Sequence, residues 1–259
     1  MITNSKPGLV LLLFIVFLVN FGETWSETSL RPRAPISAAE YKGAYAVQQF
    51  EPKFINFEFH DRTARWAMYA YSISYFAFLP VLGVAVLIAL ARREALAPFR
   101  VFCLAVTADY LVSLPWFLLF PVPERRAYPG SNAILLSDQW SSSLINAIRP
   151  ISALNNSFPS THVSLTVVVI AVCWLFQVRL RNTVTALGAT IVLATFVLGI
   201  HWLADIIAGT AVGLLSVAIA WRWTDRSERR ELGLEPAFHV VRKKVRPASR
   251  LAEAGGARL

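Results

Sequence analysis

Ser157-Phe158-Pro159-Ser160-Thr161-His162 opens a stretch that closes on His201-Trp202-Leu203-Ala204-Asp205. Between them lie an apolar run from Val163 to Val178, a short loop with Arg179 and Arg181, and a second apolar run from Val184 to Ile200. Two helices of about 18 residues each run roughly 27 Å down and back, close to the thickness of a bilayer core. Such a hairpin returns the chain to the side it left. His162 and His201 are therefore expected on one side of a membrane, free to meet. Two histidines and a carboxylate, Asp205, at one membrane face suggest a reaction site.

The composition supports a membrane setting. Of the 259 residues 56% are hydrophobic and only 16% are charged, with a mean hydropathy of +0.51. That is too apolar for an ordinary soluble domain. The net charge of +9 does not point to nucleic acid. Ten of the 25 Lys and Arg residues lie from Arg222 onward, and several others sit in short loops between apolar runs. This is the pattern of membrane topology and headgroup contact. Cys103 and Cys173 both fall inside apolar runs and read as buried packing residues.

Working outward, the spacing predicts an all-α, polytopic membrane bundle. Gly8 to Phe21 is an anchor helix or a signal, and residues 22–65 form an extramembrane, partly interfacial segment. Residues 66–221 hold the membrane core, with spans over Trp66–Leu90, Phe99–Phe120, Val163–Val178, Val184–Ile200 and Leu203–Trp221. Residues 222–259 form a basic tail. Six transmembrane helices result, or five if the first run is removed. Arg92, Arg93 and Arg100 flank one connection, Arg179 and Arg181 another, and the tail is the densest basic cluster, all on one side. That side is expected to be cytoplasmic, with the loop 122–160, His162 and His201 facing away from it. In the last span Gly209 and Gly213 form a small-xxx-small pair that lets a neighbouring helix approach closely.

Pro159 and Ser160 before an apolar run suit a helix N-terminus, where backbone N–H groups and the dipole bind phosphate. A histidine beside it can protonate a leaving oxygen. Alone, His162 reads more simply as a capping or interfacial residue; the four-residue pattern is more specific. His201 and Asp205, four residues apart, share a helix face in this reading. The carboxylate can hold one imidazole tautomer and leave the other nitrogen free to attack. A structural pair at a helix end is the plainer alternative. Arg149, before Pro150, supplies a cation for phosphate or is an ordinary interfacial arginine. Asn155 and Asn156 read as turn formers, or as neighbours of an acceptor hydroxyl.

From Phe99 to Trp221 the chain resembles the type 2 phosphatidic acid phosphatase (PAP2) superfamily. Arg149-Pro150, Pro159-Ser160-x-His162 and His201-x-x-x-Asp205 carry the resemblance, in order and on one membrane side. Phe120-Pro121-Val122-Pro123-Glu124-Arg125 resembles the proline-rich turn often found before the first of these motifs. The resemblance implies that His201 attacks phosphorus and forms a phosphohistidine, that Asp205 orients it, and that His162 protonates the departing alcohol. It implies a phosphate cradle from Ser160 and the backbone near Thr161, Arg149 as a phosphate cation, and neither metal nor cofactor. The chain departs from the family where Ser142 and Thr195 stand at positions usually held by a lysine and an arginine, and where Thr161 replaces a glycine. In this it looks closer to the inositol phosphorylceramide synthase-like branch, and Arg125 and Arg126 are candidate substitutes for the missing cations.

The expected activity is hydrolysis of a phosphorylated lipid or isoprenoid. Transfer of a phospho-headgroup to an alcohol such as inositol or a sugar is the alternative. A non-catalytic lipid-binding membrane protein is the reading from another class; the lost cations favour it and the retained His162, His201 and Asp205 argue against it. The richness in Ala, Arg and Val leans towards a bacterial inner membrane with a periplasmic or extracellular site and a cytoplasmic C-terminus.

Overall fold

Pro80 shapes the first strong apolar segment. A proline has no N–H to donate and its ring crowds the carbonyl four residues back, here Phe76. The helix widens at that point. α3 (Arg62–Ile73) passes through a π-helical turn, Ser74–Phe78, into α4 (Leu79–Ala91). The computed structural model describes residues 5–30, 37–51, 62–131 and 156–224. Among these the other helices are α1 (Lys6–Leu30), α2 (Ala38–Gln48), α5 (Leu96–Leu119), α6 (Thr161–Leu175), α7 (Arg181–Val197) and α8 (Leu203–Trp223). The described residues contain no strand; an isolated parallel bridge pairs Val122 with Asn156.

The ends follow local chemistry. Ser37 opens α2 with a reciprocal capping box: its hydroxyl accepts from Glu40 N–H while the Glu40 carboxylate accepts from Ser37 N–H. α6 ends where Gln177 turns into left-handed backbone at φ 50°, and Val178 N–H reaches back to Cys173 O at 2.8 Å. α7 ends on Gly199 at φ 75°, a conformation that glycine adopts without steric cost.

Among the described residues three helices are long and apolar enough to cross a membrane: Trp66–Ala91, Leu96–Leu119 and Leu203–Trp223. Their outward apolar side chains are open, with Val81 63%, Leu118 60% and Ile207 62% exposed, as a lipid-facing surface would be. The expected count of six is thus not reached on length and composition. Lys6–Gly22, Thr161–Leu175 and Arg181–Val197 are apolar but shorter. α6 and α7, at 15 and 17 residues, rise only roughly 22 and 26 Å. The Gln177 turn ends α6 before Val178, where the apolar run had suggested it would stop.

The first helix runs on beyond its apolar part, Lys6–Gly22, as far as Leu30. Arg100, expected to flank a connection, is buried inside α5, which begins four residues earlier at Leu96. The interfacial residues 52–61 and the basic tail from Asp225 lie outside the described residues, as does most of the loop 122–160.

α8 packs against both α5 and α6, α7 lies against α6 and the π turn, and α1 lies against α5. Gly209 and Gly213 have α6 as their close neighbour. A Cβ at Gly209 would come within 2.5 Å of Ser160 O, and one at Gly213 within 2.5 Å of Ser164 O. Two ends of the bundle can be distinguished. At one, Lys6 donates to Ala91 O and Arg93 O, both at 2.7 Å, and Arg93 donates to Phe176 O at 2.9 Å. At the other, the end of α5, the starts of α6 and α8 and the end of α7 converge.

Candidate active site

The turn after α5 is the frame on which that second end is built. Arg125 N–H donates to Ile200 O at 2.9 Å and Arg126 N–H to Gly199 O at 3.1 Å. Trp202 Nε1 donates to Pro123 O at 3.0 Å, and Ser157 N–H to Val122 O at 3.0 Å. One short proline-rich segment therefore holds both the turn before α6 and the turn before α8. Packing reinforces it: Trp202 and Val122, 1% and 0% exposed, share a core with Ala44 and Val47 of α2 and with Tyr128.

His201 stands in the turn between α7 and α8, outside either helix. The expectation that it shares a helix face with Asp205 is corrected on this point. Gly199 reverses the chain, and His201 N–H donates to Thr195 O at 3.1 Å, fixing the backbone. Asp205 is the third residue of α8. Its Oδ2 accepts from Trp202 N–H at 2.9 Å, which ties down an otherwise unbonded N–H at the helix start. The same oxygen lies 3.3 Å from His201 Nδ1. The pair is buried, with Asp205 wholly inaccessible.

Ser160 caps α6, its hydroxyl accepting from Val163 N–H at 3.4 Å, and its own N–H donates to Asp205 O at 3.2 Å. Thr161 and His162 are the first two residues of α6, and among the described residues neither backbone N–H makes a hydrogen bond. The hairpin brings the two histidines together, with ring centroids 6.3 Å apart. Arg125 and Arg126 are brought to this end as well, but each is engaged. Arg126 Nε is 2.5 Å from Glu124 Oε2, and Arg125 is 3.8 Å from Glu51 Oε2 and lies over the Phe196 ring. Arg149, Ser142 and Asn155 lie outside the described residues. Thr195 serves the site through its backbone O, which holds His201 N–H, while its hydroxyl donates to Val192 O one turn back.

Four residues here were passed over in the sequence. The Ser157 hydroxyl lies 2.6 Å from Asp205 Oδ2 and 3.1 Å from His201 Nδ1. Glu51 accepts from Leu203 N–H at 2.5 Å, occupying the start of α8. Tyr75, carried by the π turn, stacks on the His162 ring at 4.1 Å and 16°. Asp109, 1% exposed inside α5, accepts from Ser164 of α6 at 2.8 Å and from Ser216 of α8 at 3.5 Å. Asp109 carried a signal, because a carboxylate in an apolar run is rare and costly. Ser157 sat within the quoted motif. Glu51 and Tyr75 carried none, since their partners are 152 and 87 residues away.

A helical bundle with apolar flanks that gathers two histidines and a buried carboxylate at one end defines a narrow class. The chain belongs to the PAP2 superfamily, whose sequence profile matches residues 8–229. Its members are generally phosphatases and phosphotransferases, so the class of activity is phosphatase or phosphotransferase action on phosphorylated substrates. Searches of curated proteins and of solved structures each return no significant match. Among the described residues no group of three or more His, Cys, Asp or Glu stands together to hold a metal ion.

Proposed function

We propose that the chain is an integral membrane phosphatase that hydrolyses a phosphorylated lipid or isoprenoid through a phosphohistidine on His201. The observation that supports it most is the placement of His162 across from His201, at 6.3 Å between centroids, with Asp205 behind His201. In this reading the two rings serve one phosphoryl group, His201 by attack on phosphorus and His162 by proton transfer to the oxygen that leaves it. In the reaction proposed, the Nε2 lone pair of His201 bonds to phosphorus and the phosphorus–oxygen bond to the lipid breaks. Protonated His162 gives its proton to the departing oxygen. Neutral His162 then takes a proton from water as that water attacks phosphorus, and phosphate leaves.

The phosphate cradle is assigned to the Thr161 and His162 N–H groups at the start of α6 and to Ser160. Arg149, Arg125 and Arg126 are the proposed phosphate cations, the last two after exchanging Glu51 and Glu124 for substrate. The clustering of Lys6 and Arg93 at the opposite end supports a site on the non-cytoplasmic side; the proposed setting is a bacterial inner membrane.

The test is release of inorganic phosphate by purified protein from phosphatidic acid, isoprenyl diphosphate and phospholipid headgroup donors, with no metal added. Release above the level of the His201→Ala variant is expected. None above it for any donor would overturn the reading. Running labelled donor with millimolar inositol, glycerol or sugar decides the acceptor. Mostly phosphorylated alcohol, against about 55 M water, would mean that the site selects the alcohol and that the chain is a transferase.

A further inference from the structure

The geometry points to Ser157 as the residue that fixes the tautomer of His201. Ser157 is 2% exposed, and its hydroxyl sits between the two members of the His–Asp pair. It is 2.6 Å from Asp205 Oδ2 and 3.1 Å from His201 Nδ1, nearer to the imidazole than the carboxylate oxygen at 3.3 Å. A serine hydroxyl has one proton, and an ionised carboxylate can only accept. The 2.6 Å bond therefore takes the Ser157 proton to Asp205. Towards His201 the hydroxyl has only lone pairs left, so Nδ1 must be the protonated nitrogen.

Both groups facing Nδ1 are then acceptors. The other tautomer would leave the Nδ1 lone pair pointing at two oxygens in a buried site, with no donor for it. The free lone pair of His201 is thus at Nε2. The serine is itself held, because its N–H donates to Val122 O at 3.0 Å in the segment that also grips Trp202 and the residues before His201. Ser157 is a positioning residue and acts through His201.

The consequence rests on the phosphohistidine reading. The Nε2 lone pair forms the nitrogen–phosphorus bond, the phosphorus–oxygen bond to the leaving group breaks, and the Nδ1 proton stays in place. The imidazole then carries positive charge, which Ser157 and Asp205 both face with oxygen.

The test has one arm that needs no turnover. Full-length protein labelled with [15N]histidine contains four histidines, His60, His162, His201 and His239, and a His201→Gln sample assigns the His201 signals. In the resting wild type Nδ1 is expected to show the shift of a protonated nitrogen and Nε2 that of a bare one. Ser157→Ala, and Ser157→Cys, which keeps the volume but is a poor acceptor, should both move these shifts towards a tautomer mixture. Their kcat should fall about 10- to 100-fold with KM within about twofold.

The second arm traps the phosphoenzyme at alkaline pH and reads the phosphohistidine isomer by 31P NMR, with Nε2 alone expected in the wild type and some Nδ1 isomer in the variants. Unchanged shifts with kcat within twofold in both variants would overturn the assignment. So would loss in Ser157→Ala but a wild-type Ser157→Cys, which would make Ser157 a packing residue only. Variant shifts that move while the wild type yields no phosphohistidine would uphold the tautomer assignment and remove the reaction proposed above.

Discussion

Asp205 Oδ2 takes three bonds at once: from the Ser157 hydroxyl, from Trp202 N–H and towards His201 Nδ1. The carboxylate therefore closes the start of α8 and orients the imidazole with the same atom. Asp205→Asn preserves the shape but places either a donor or a single neutral acceptor there. Orienting carboxylates of this kind lose about 10²–10⁴ in kcat when changed to the amide, and a fall in that range is expected here. A kcat within tenfold of wild type would show that Asp205 serves the helix end only. His162 makes a different prediction, because a general acid matters most when the departing oxygen is basic. His162→Ala should slow a lipid phosphate far more than an aryl phosphate with an acidic phenol. Equal losses on the two substrates would count against the acid role.

At the scale of elements, the site depends on two helix contacts. α6 carries His162 and α8 carries Asp205, and they touch where Gly209 faces Ser160 O and Gly213 faces Ser164 O. No side chain fits at either glycine without moving backbone. Gly209→Val is expected to cost about 1–3 kcal/mol and to lower activity more than abundance, by shifting Ser160. Detergent thermal midpoint and kcat measured together check this; a wild-type kcat would show that the start of α6 tolerates displacement.

Asp109 ties the same two helices to α5 through Ser164 and Ser216. Asp109→Ala takes this acceptor from Ser216 and leaves Ser164 the longer bond to Thr161 O at 3.3 Å, at an expected cost of about 1–3 kcal/mol, whereas Asp109→Asn keeps acceptor and shape and should lose less. Equal stability of the two variants would argue against the hydrogen bonds. The π turn is the third element. Pro80 widens the helix ahead of it, and the widened turn delivers Tyr75 to the face of His162.

At the scale of the whole molecule the question is which end of the bundle faces which compartment. Lys6, Ala91, Arg93 and Phe176 meet at one end, and His162, His201 and the turn after α5 at the other. If the basic end is cytoplasmic, a single cysteine at Ser131 should react with an impermeant reagent on intact cells and one at Ser249 should not, in a background without Cys103 and Cys173. Labelling of Ser249 but not Ser131 would invert the topology and move the chemistry to the cytoplasmic side.

Much of this was legible along the chain because it is local. Apolar runs bounded by arginine, proline and glycine fix where helices lie, since a backbone in an apolar setting has to satisfy its own hydrogen bonds. The order of His162, His201 and Asp205, with a hairpin between, fixes that the two histidines return to one end. The tertiary structure decided what depends on how helices pack. It lifted His201 out of the helix and onto the Gly199 turn, and it engaged Arg125 and Arg126 with Glu51 and Glu124. It set Ser157, 44 residues away, between His201 and Asp205, and Glu51, 152 residues away, on the first N–H of α8. Periodicity reports only which face of a helix is apolar. Which polar atom meets which across such separations is set by the helix contacts, above all the close approach at Gly209 and Gly213.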